Sequence, residues 1–257
     1  MKTLTFLLFA LVLPVSAASI ELTGTIRDFA CRNCTAPSGF SSHPDFQWFD
    51  SGFTTGLVST TLPGDKRPVY VATPNAGAIT SAATFDQWYR DVAGVNQSVD
   101  FTISLEETAP GSGTFQYLNN AFFPINNQLL GNQGFANNYH FTYSINAEFT
   151  YVAGQTFQFS GDDDVWVYID NNLVIDLGGT HSTLTRNINL DTLGLNPGQN
   201  YDLDFFFAER FCCESNFSIS TTIGSIDNTP EVPEPATALF SLTGVAGLWL
   251  LKRNRRA

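Results

Sequence analysis

His140-Phe141-Thr142-Tyr143-Ser144-Ile145-Asn146-Ala147-Glu148-Phe149-Thr150-Tyr151 alternates almost without fault. Phe141, Tyr143, Ile145, Ala147, Phe149 and Tyr151 fall on one side of an extended chain, and the polar residues between them fall on the other. A period of two marks a half-buried antiparallel strand, with one face on a core and one in water. Downstream, Phe157 and Phe159 repeat the pattern, and Val165–Ile169 is apolar on both faces, as a central strand would be. Asp170-Asn171-Asn172 turns that strand into Leu173–Leu177. Tyr201, Leu203, Phe205 and Phe207 alternate with Asp202 and Asp204, Asn196-Pro197-Gly198 makes a turn, and Phe217–Ile223 supplies a last strand.

Upstream the pattern is weaker. Phe101, Ile103 and Leu105 alternate, Thr84–Val92 predicts a short helix carrying Phe85, Trp88 and Tyr89 into a core, and 106–138 reads as a long polar surface excursion. No internal repeat or linker divides the body. The expected fold is all-β, an antiparallel β-sandwich or jelly roll with hairpin connections.

Asp162-Asp163-Asp164 directly precedes the doubly apolar strand. Three adjacent carboxylates repel one another, and a hard divalent cation with clustered oxygen ligands would neutralise them. A solvated Gly-Asp turn is the alternative.

Both ends read as addresses. Lys2, the apolar run from Leu4 to Val15 and the small residues around Ala17 and Ala18 form a secretory signal peptide, 1–17, with cleavage expected after Ala17 or Ala18. The domain then covers 18–226. A Pro-rich spacer, 227–235, leads to a short apolar transmembrane helix, 236–251, and a basic cytoplasmic tail, 252–257. Without the leader and the segment from Thr229 onward, the chain keeps seven basic and twenty-two acidic residues. Such a surface argues against nucleic acid and suits cations and neutral sugars.

Cys31, Cys34, Cys212 and Cys213 make an even number in an exported chain, which implies disulfides. Neighbouring cysteines meet disulfide geometry poorly, so two cross-links between the N-terminal and C-terminal pairs are expected. A four-cysteine zinc site is the alternative, though Cys212 and Cys213 lack the usual ligand spacing.

Several blocks in order resemble the fibro-slime domain: Thr23-Gly24-Thr25-Ile26-Arg27-Asp28-Phe29, His43-Pro44-Asp45-Phe46, Trp88-Tyr89-Arg90-Asp91, Gly161–His181 and Phe207-Ala208-Glu209-Arg210 with Ser215-Asn216-Phe217. The resemblance spans about residues 20–224 and extends to the protective-antigen-type β-sandwich of toxins, glycosidases and yeast adhesins. It implies that Asp162 and Asp163, joined by a cis peptide, bind calcium with Asn216, and that sugar hydroxyls reach the ion. Asp164 stands where the wider group often has glycine and is a possible extra contact. Separately, Pro233-Glu234-Pro235, the apolar helix and the terminal arginines resemble the PEP-CTERM sorting signal of Gram-negative bacteria. That signal implies an exosortase partner, transient anchoring in the inner membrane and delivery to the envelope or extracellular matrix.

No nucleophile elbow, zinc-protease helix or phosphate loop is present in the sequence. His181 reads as a residue fastening the end of a hairpin, and Glu209 with Arg210 as an ion pair or a solvated strand end, with the lining of a ligand site as the lesser alternative. The expectation is a non-enzymatic, exported surface or matrix protein that binds calcium and an extracellular polysaccharide or surface glycan, acting in adhesion or matrix assembly. A structural envelope protein without glycan recognition is the alternative, and a polysaccharide hydrolase a more distant one.

Overall fold

Eleven strands follow the chain: β1 (Ser19–Phe29), β2 (Asn96–Glu107), β3 (Phe115–Asn119), β4 (Phe141–Thr150), β5 (Thr156–Gly161), β6 (Asp164–Ile169), β7 (Asn172–Leu177), β8 (Leu184–Asn189), β9 (Asn200–Glu209), β10 (Phe217–Thr221) and β11 (Ile226–Asn228). The computed structural model describes residues 17–49 and 52–228. The expected leader, the Pro233-Glu234-Pro235 spacer, the apolar segment and the basic tail lie outside them. Among the described residues no helix is long and apolar enough to cross a membrane.

All pairings between these strands are antiparallel, in the order β7-β6-β9-β4-β1-β2-β3-β10-β5-β8. The expected sandwich is thus one continuous sheet, curled until residues from both ends of the path share a single core. Its shape is nearly that of a barrel. The inward sets are those that the alternation marks: Phe141, Tyr143 and Ile145 from β4, Phe157 and Phe159 from β5, and Phe205 and Phe207 from β9. The β6–β7 hairpin turns through Asp170 and Asn171, both at positive φ, the backbone that two-residue hairpins demand and that Asp and Asn tolerate.

β1 pairs with β4 only over Thr25–Asp28, and β11 takes its place beside Ala147–Phe149. The strands cross tightly where they part. A Cβ on Gly24 would lie 2.1 Å from the Ser144 carbonyl oxygen, so glycine is needed there.

A second apolar cluster lies on the other face of β6 and β9. Trp166, Tyr168, Phe206 and Ala208 are covered there by Phe46, Leu57, Phe85, Trp88 and Tyr89 from the segment between β1 and β2. This cover explains why β6 is apolar on both faces. It also corrects the reading of β4 as half-solvated. Thr142, Ser144 and Asn146 are buried under the cover, where Thr142 Oγ1 donates to the Trp88 carbonyl and Asn146 Nδ2 donates to Asp204. The expected helix over 84–92 is a single turn, α1 (Ala82–Phe85), capped by Ser81. The stretch 106–138 is not all surface: it contains β3, and Phe122 and Ile125 close one end of the core.

The disulfide joins Cys31 to Cys34 with Cα atoms 5.2 Å apart, while Cys212 and Cys213 are thiols. The expected long-range cross-links are therefore wrong. A turn in which the Cys34 amide donates to the Cys31 carbonyl brings the N-terminal pair together locally.

Candidate cation and ligand site

Three connections meet at one rim of the barrel. β6, β7 and β9 are neighbours at one end of the sheet path, while β5, β8 and β10 are neighbours at the other. The links β5–β6, β7–β8 and β9–β10 must therefore each cross between the two ends. They carry Asp162-Asp163, Gly178–Thr183 and Arg210–Asn216 respectively.

The Asp162–Asp163 peptide is cis. Asp162 Oδ1 accepts from the Asn216 amide (2.7 Å), and its Oδ2 accepts from Asn216 Nδ2 (2.8 Å) and Thr183 Oγ1 (3.0 Å). Asp163 Oδ1 accepts from the His181 amide (3.1 Å), and its Oδ2 accepts from the amides of Arg210 and Phe211, each at 3.1 Å. Two carboxylates thus hold both neighbouring loops. Gly161 permits the approach, since a Cβ there would lie 2.3 Å from the Asn216 carbonyl oxygen.

Asp164 does not join them. It is fully buried, accepting from the Gly179 amide and pairing with Arg210 Nε at 2.6 Å. The rest of the guanidinium donates to the carbonyls of Gly77, Ala78 and Asp45 and lies over the Trp88 ring. The expectation of Asp164 as an extra ligand contact is corrected: alternation turns it toward the cover, where Arg210 meets it. Arg210 is accordingly neither solvated nor paired with Glu209.

Glu209 lies at the same rim, neither the ion pair nor the solvated strand end that the sequence favours. It is 1 % exposed, and neither carboxylate oxygen has a hydrogen-bond partner. Burial, and then the negative charges of Asp163 and Asp162, drive its pKa well above the ordinary carboxylate range. Burial likewise pushes Asp163 up to about 8, against the pull of Arg210. Four acids share this rim with one guanidinium, and Asp164 already holds it.

Beside the acids opens a pocket of about 380 Å³, lined by Asp162, Asp163, His181, Phe49, Phe211 and the thiols Cys212 and Cys213, among others. The rings of Phe49 and Phe211 stand 5.1 Å apart, and Phe49 is 55 % exposed. His181 Nδ1 donates to the Ser182 carbonyl, which leaves Nε2 buried without a partner. Its backbone, through the bond to Asp163, does fasten the hairpin end as expected. Of the expected set, the structure brings Asp162, Asp163 and Asn216 together. Clustered carboxyl oxygens whose ionised form burial opposes, Glu209 included, fit a hard divalent cation, whose charge would favour that form. Among the described residues, however, no three His, Cys, Asp or Glu side chains converge as a ready-made metal cage. The carboxylates face loop amides and hydroxyls instead.

Residues 117–235 match the PA14 domain. That stretch contains Asp162, Asp163, Glu209 and Asn216, but not Phe49, β1 or β2. Three curated relatives come from Dictyostelium discoideum. Protein psiQ is 41% identical over 197 residues, covering 71% of this chain and 20% of psiQ. Protein psiC is 36% identical over 234 residues, covering 85% of this chain and 44% of psiC. Protein psiD is 36% identical over 219 residues, covering 80% of this chain and 42% of psiD. The chain spans less than half the length of these relatives. No solved structure matches it significantly. PA14 domains are often carbohydrate-binding and occur in extracellular proteins, and the disulfide is consistent with such a location.

Proposed function

We propose that this chain is an exported surface or matrix protein, a fibro-slime-type relative of the PA14 domain, that binds calcium and through it a carbohydrate. Asp162, Asp163 and the Asn216 side chain would hold the ion, which would supply positive charge for sugar hydroxyls. The observation that carries this reading is the buried Asp162–Asp163 pair tied to Asn216 beside an open pocket. The exposed Phe49 and its neighbour Phe211 add apolar ring faces of the kind that pack on a pyranose. Adhesion or assembly of an extracellular polysaccharide is the role that follows. The C-terminal resemblance to a PEP-CTERM signal supports processing by exosortase at a Gram-negative envelope after transient membrane anchoring. No catalytic role is proposed.

The hydrogen bonds with which the same carboxylates already hold both loops favour a second reading, in which calcium stiffens the rim and no glycan is recognised. Calorimetry comes first. Calcium, at the millimolar-range affinity common in extracellular modules, should raise the melting temperature, and Asp162→Ala with Asp163→Ala should abolish the rise. An unchanged response in that double variant removes the cation reading. A glycan array with and without chelator then separates the two readings, because calcium-dependent retention is expected only of the first.

A further inference from the structure

We propose that Glu209 is a third anionic group of the cation site, resting on the calcium reading above and naming a residue which that reading does not use. Its unusual feature is a buried carboxylate with two empty acceptor oxygens at the edge of a well-bonded rim. Buried polar side chains nearly always find partners, so an orphan needs a cause. The donors nearest to it are committed elsewhere. Ser215 Oγ donates to the Phe122 carbonyl at 2.8 Å, and the Phe211 amide donates to Asp163. Arg210, its sequence neighbour, points to the opposite face of β9 and holds Asp164.

Glu209 ends β9, in register with Phe141, and shares the inward face with Phe205 and Phe207. It approaches Asp162 and Asp163 closely enough for their charges to oppose its own. A glutamate used only for packing could be replaced there by an apolar residue of the same length. A positive charge arriving at the rim would supply the partner that this carboxylate lacks. Ser215 and the Phe211 amide lie near enough to lower its pKa slightly but bond elsewhere. Rotation about its three side-chain torsions toward an ion held by the aspartate pair would therefore break no well-formed hydrogen bond. Charge count tunes calcium affinity, so a third carboxylate strengthens the site and favours ions of higher charge. The free protein carries the destabilisation, as functional sites commonly do.

Glu209→Gln in the full chain tests this, with calcium and terbium as the ions and two readouts. The melting temperature without metal should stay level or rise, because the variant loses a buried acid. The calcium Kd should weaken by tenfold or more, and the preference for trivalent terbium should fall further. A variant that binds both ions like the parent overturns the proposal and leaves Asp162 and Asp163 as the site. A parent chain that responds to neither ion overturns this proposal and the calcium reading together. Glu209→Met, of similar length, gives the same readouts should a buried amide disturb folding, and full calcium affinity in it is equally fatal.

Discussion

Asp28 shows how one residue ties stability to pH. It is fully buried on β1, where its oxygens accept from the Leu130 amide (2.8 Å) and Asn138 Nδ2 (3.0 Å). Burial outweighs those bonds and pushes it up to about 7. A folded-state value above the unfolded one means that its contribution is complete below about pH 4 and lost as pH rises through about 7. Asp28→Asn cannot ionise, so between those limits the parent should lose stability relative to the variant, by an amount on the order of a few kcal/mol. Urea midpoints measured for both chains across that range check this, and parallel curves would contradict it. His140 works in the other direction. Burial lowers it to about 3, so its contribution is present above about pH 6.5 and fades as pH falls through about 3. At this scale the sequence is only partly readable. The strain of three adjacent aspartates announces a site, but dividing them depends on Arg210, a residue 46 positions on. Glu209 is only faintly marked, since its Ala-Glu-Arg context reads more readily as an ion pair or a solvated strand end than as the lining of a ligand site.

Among the elements, β6 is the most exacting. Val165 and Val167 face the barrel core, Trp166 and Tyr168 face the cover, and all four are at most marginally exposed. Trp166→Ala should therefore cost roughly 3–5 kcal/mol, whereas Leu118→Ser, at a site that is 62 % exposed, should fall within about 0.5 kcal/mol. Chemical denaturation of the two variants measures the contrast, and equal losses would mean that the cover is not packed. The doubly apolar run made this strand legible from sequence but misplaced it: β6 lies second from one end of the path, and its outer face is apolar because the cover packs on it. The alternation of β4 located that strand but not its environment. Thr142 and Ser144 look solvated until a segment about 50 residues upstream folds over them, which local periodicity cannot register. The cysteine pairing failed for a related reason: a turn decided it, and counting residues does not reveal a turn.

For the whole molecule, the order of strands matters more than their number. β1 and β2 come from the N-terminal part, yet they sit in the middle of the path, between β4 and β3. The stretch 117–235 that matches the PA14 domain lacks both strands and all of the cover. Expressed alone it should expose Trp166 and Phe206 and show no cooperative melting, while 18–228 should melt in one transition. Differential scanning calorimetry distinguishes the two, and a cooperative transition in the shorter piece would show that the centre of the sheet is dispensable. The all-β class was legible because five of the strands alternate cleanly. The single curled path was not, because strand pairing between distant segments leaves no local pattern.

One small contact has a wider consequence. The Asn228 side chain accepts from the Thr23 amide and donates to the Glu21 carbonyl, which stitches the last strand to the first. The two extremities of the barrel therefore sit side by side. A brief Gly-Ser bridge could splice them, and the chain could be reopened at the exposed turn near Gly111 without disturbing the rim. Such a rewired protein would present the pocket beside Asp162 and Asp163 from a different point of attachment, which allows its reach above any surface to be set by engineering.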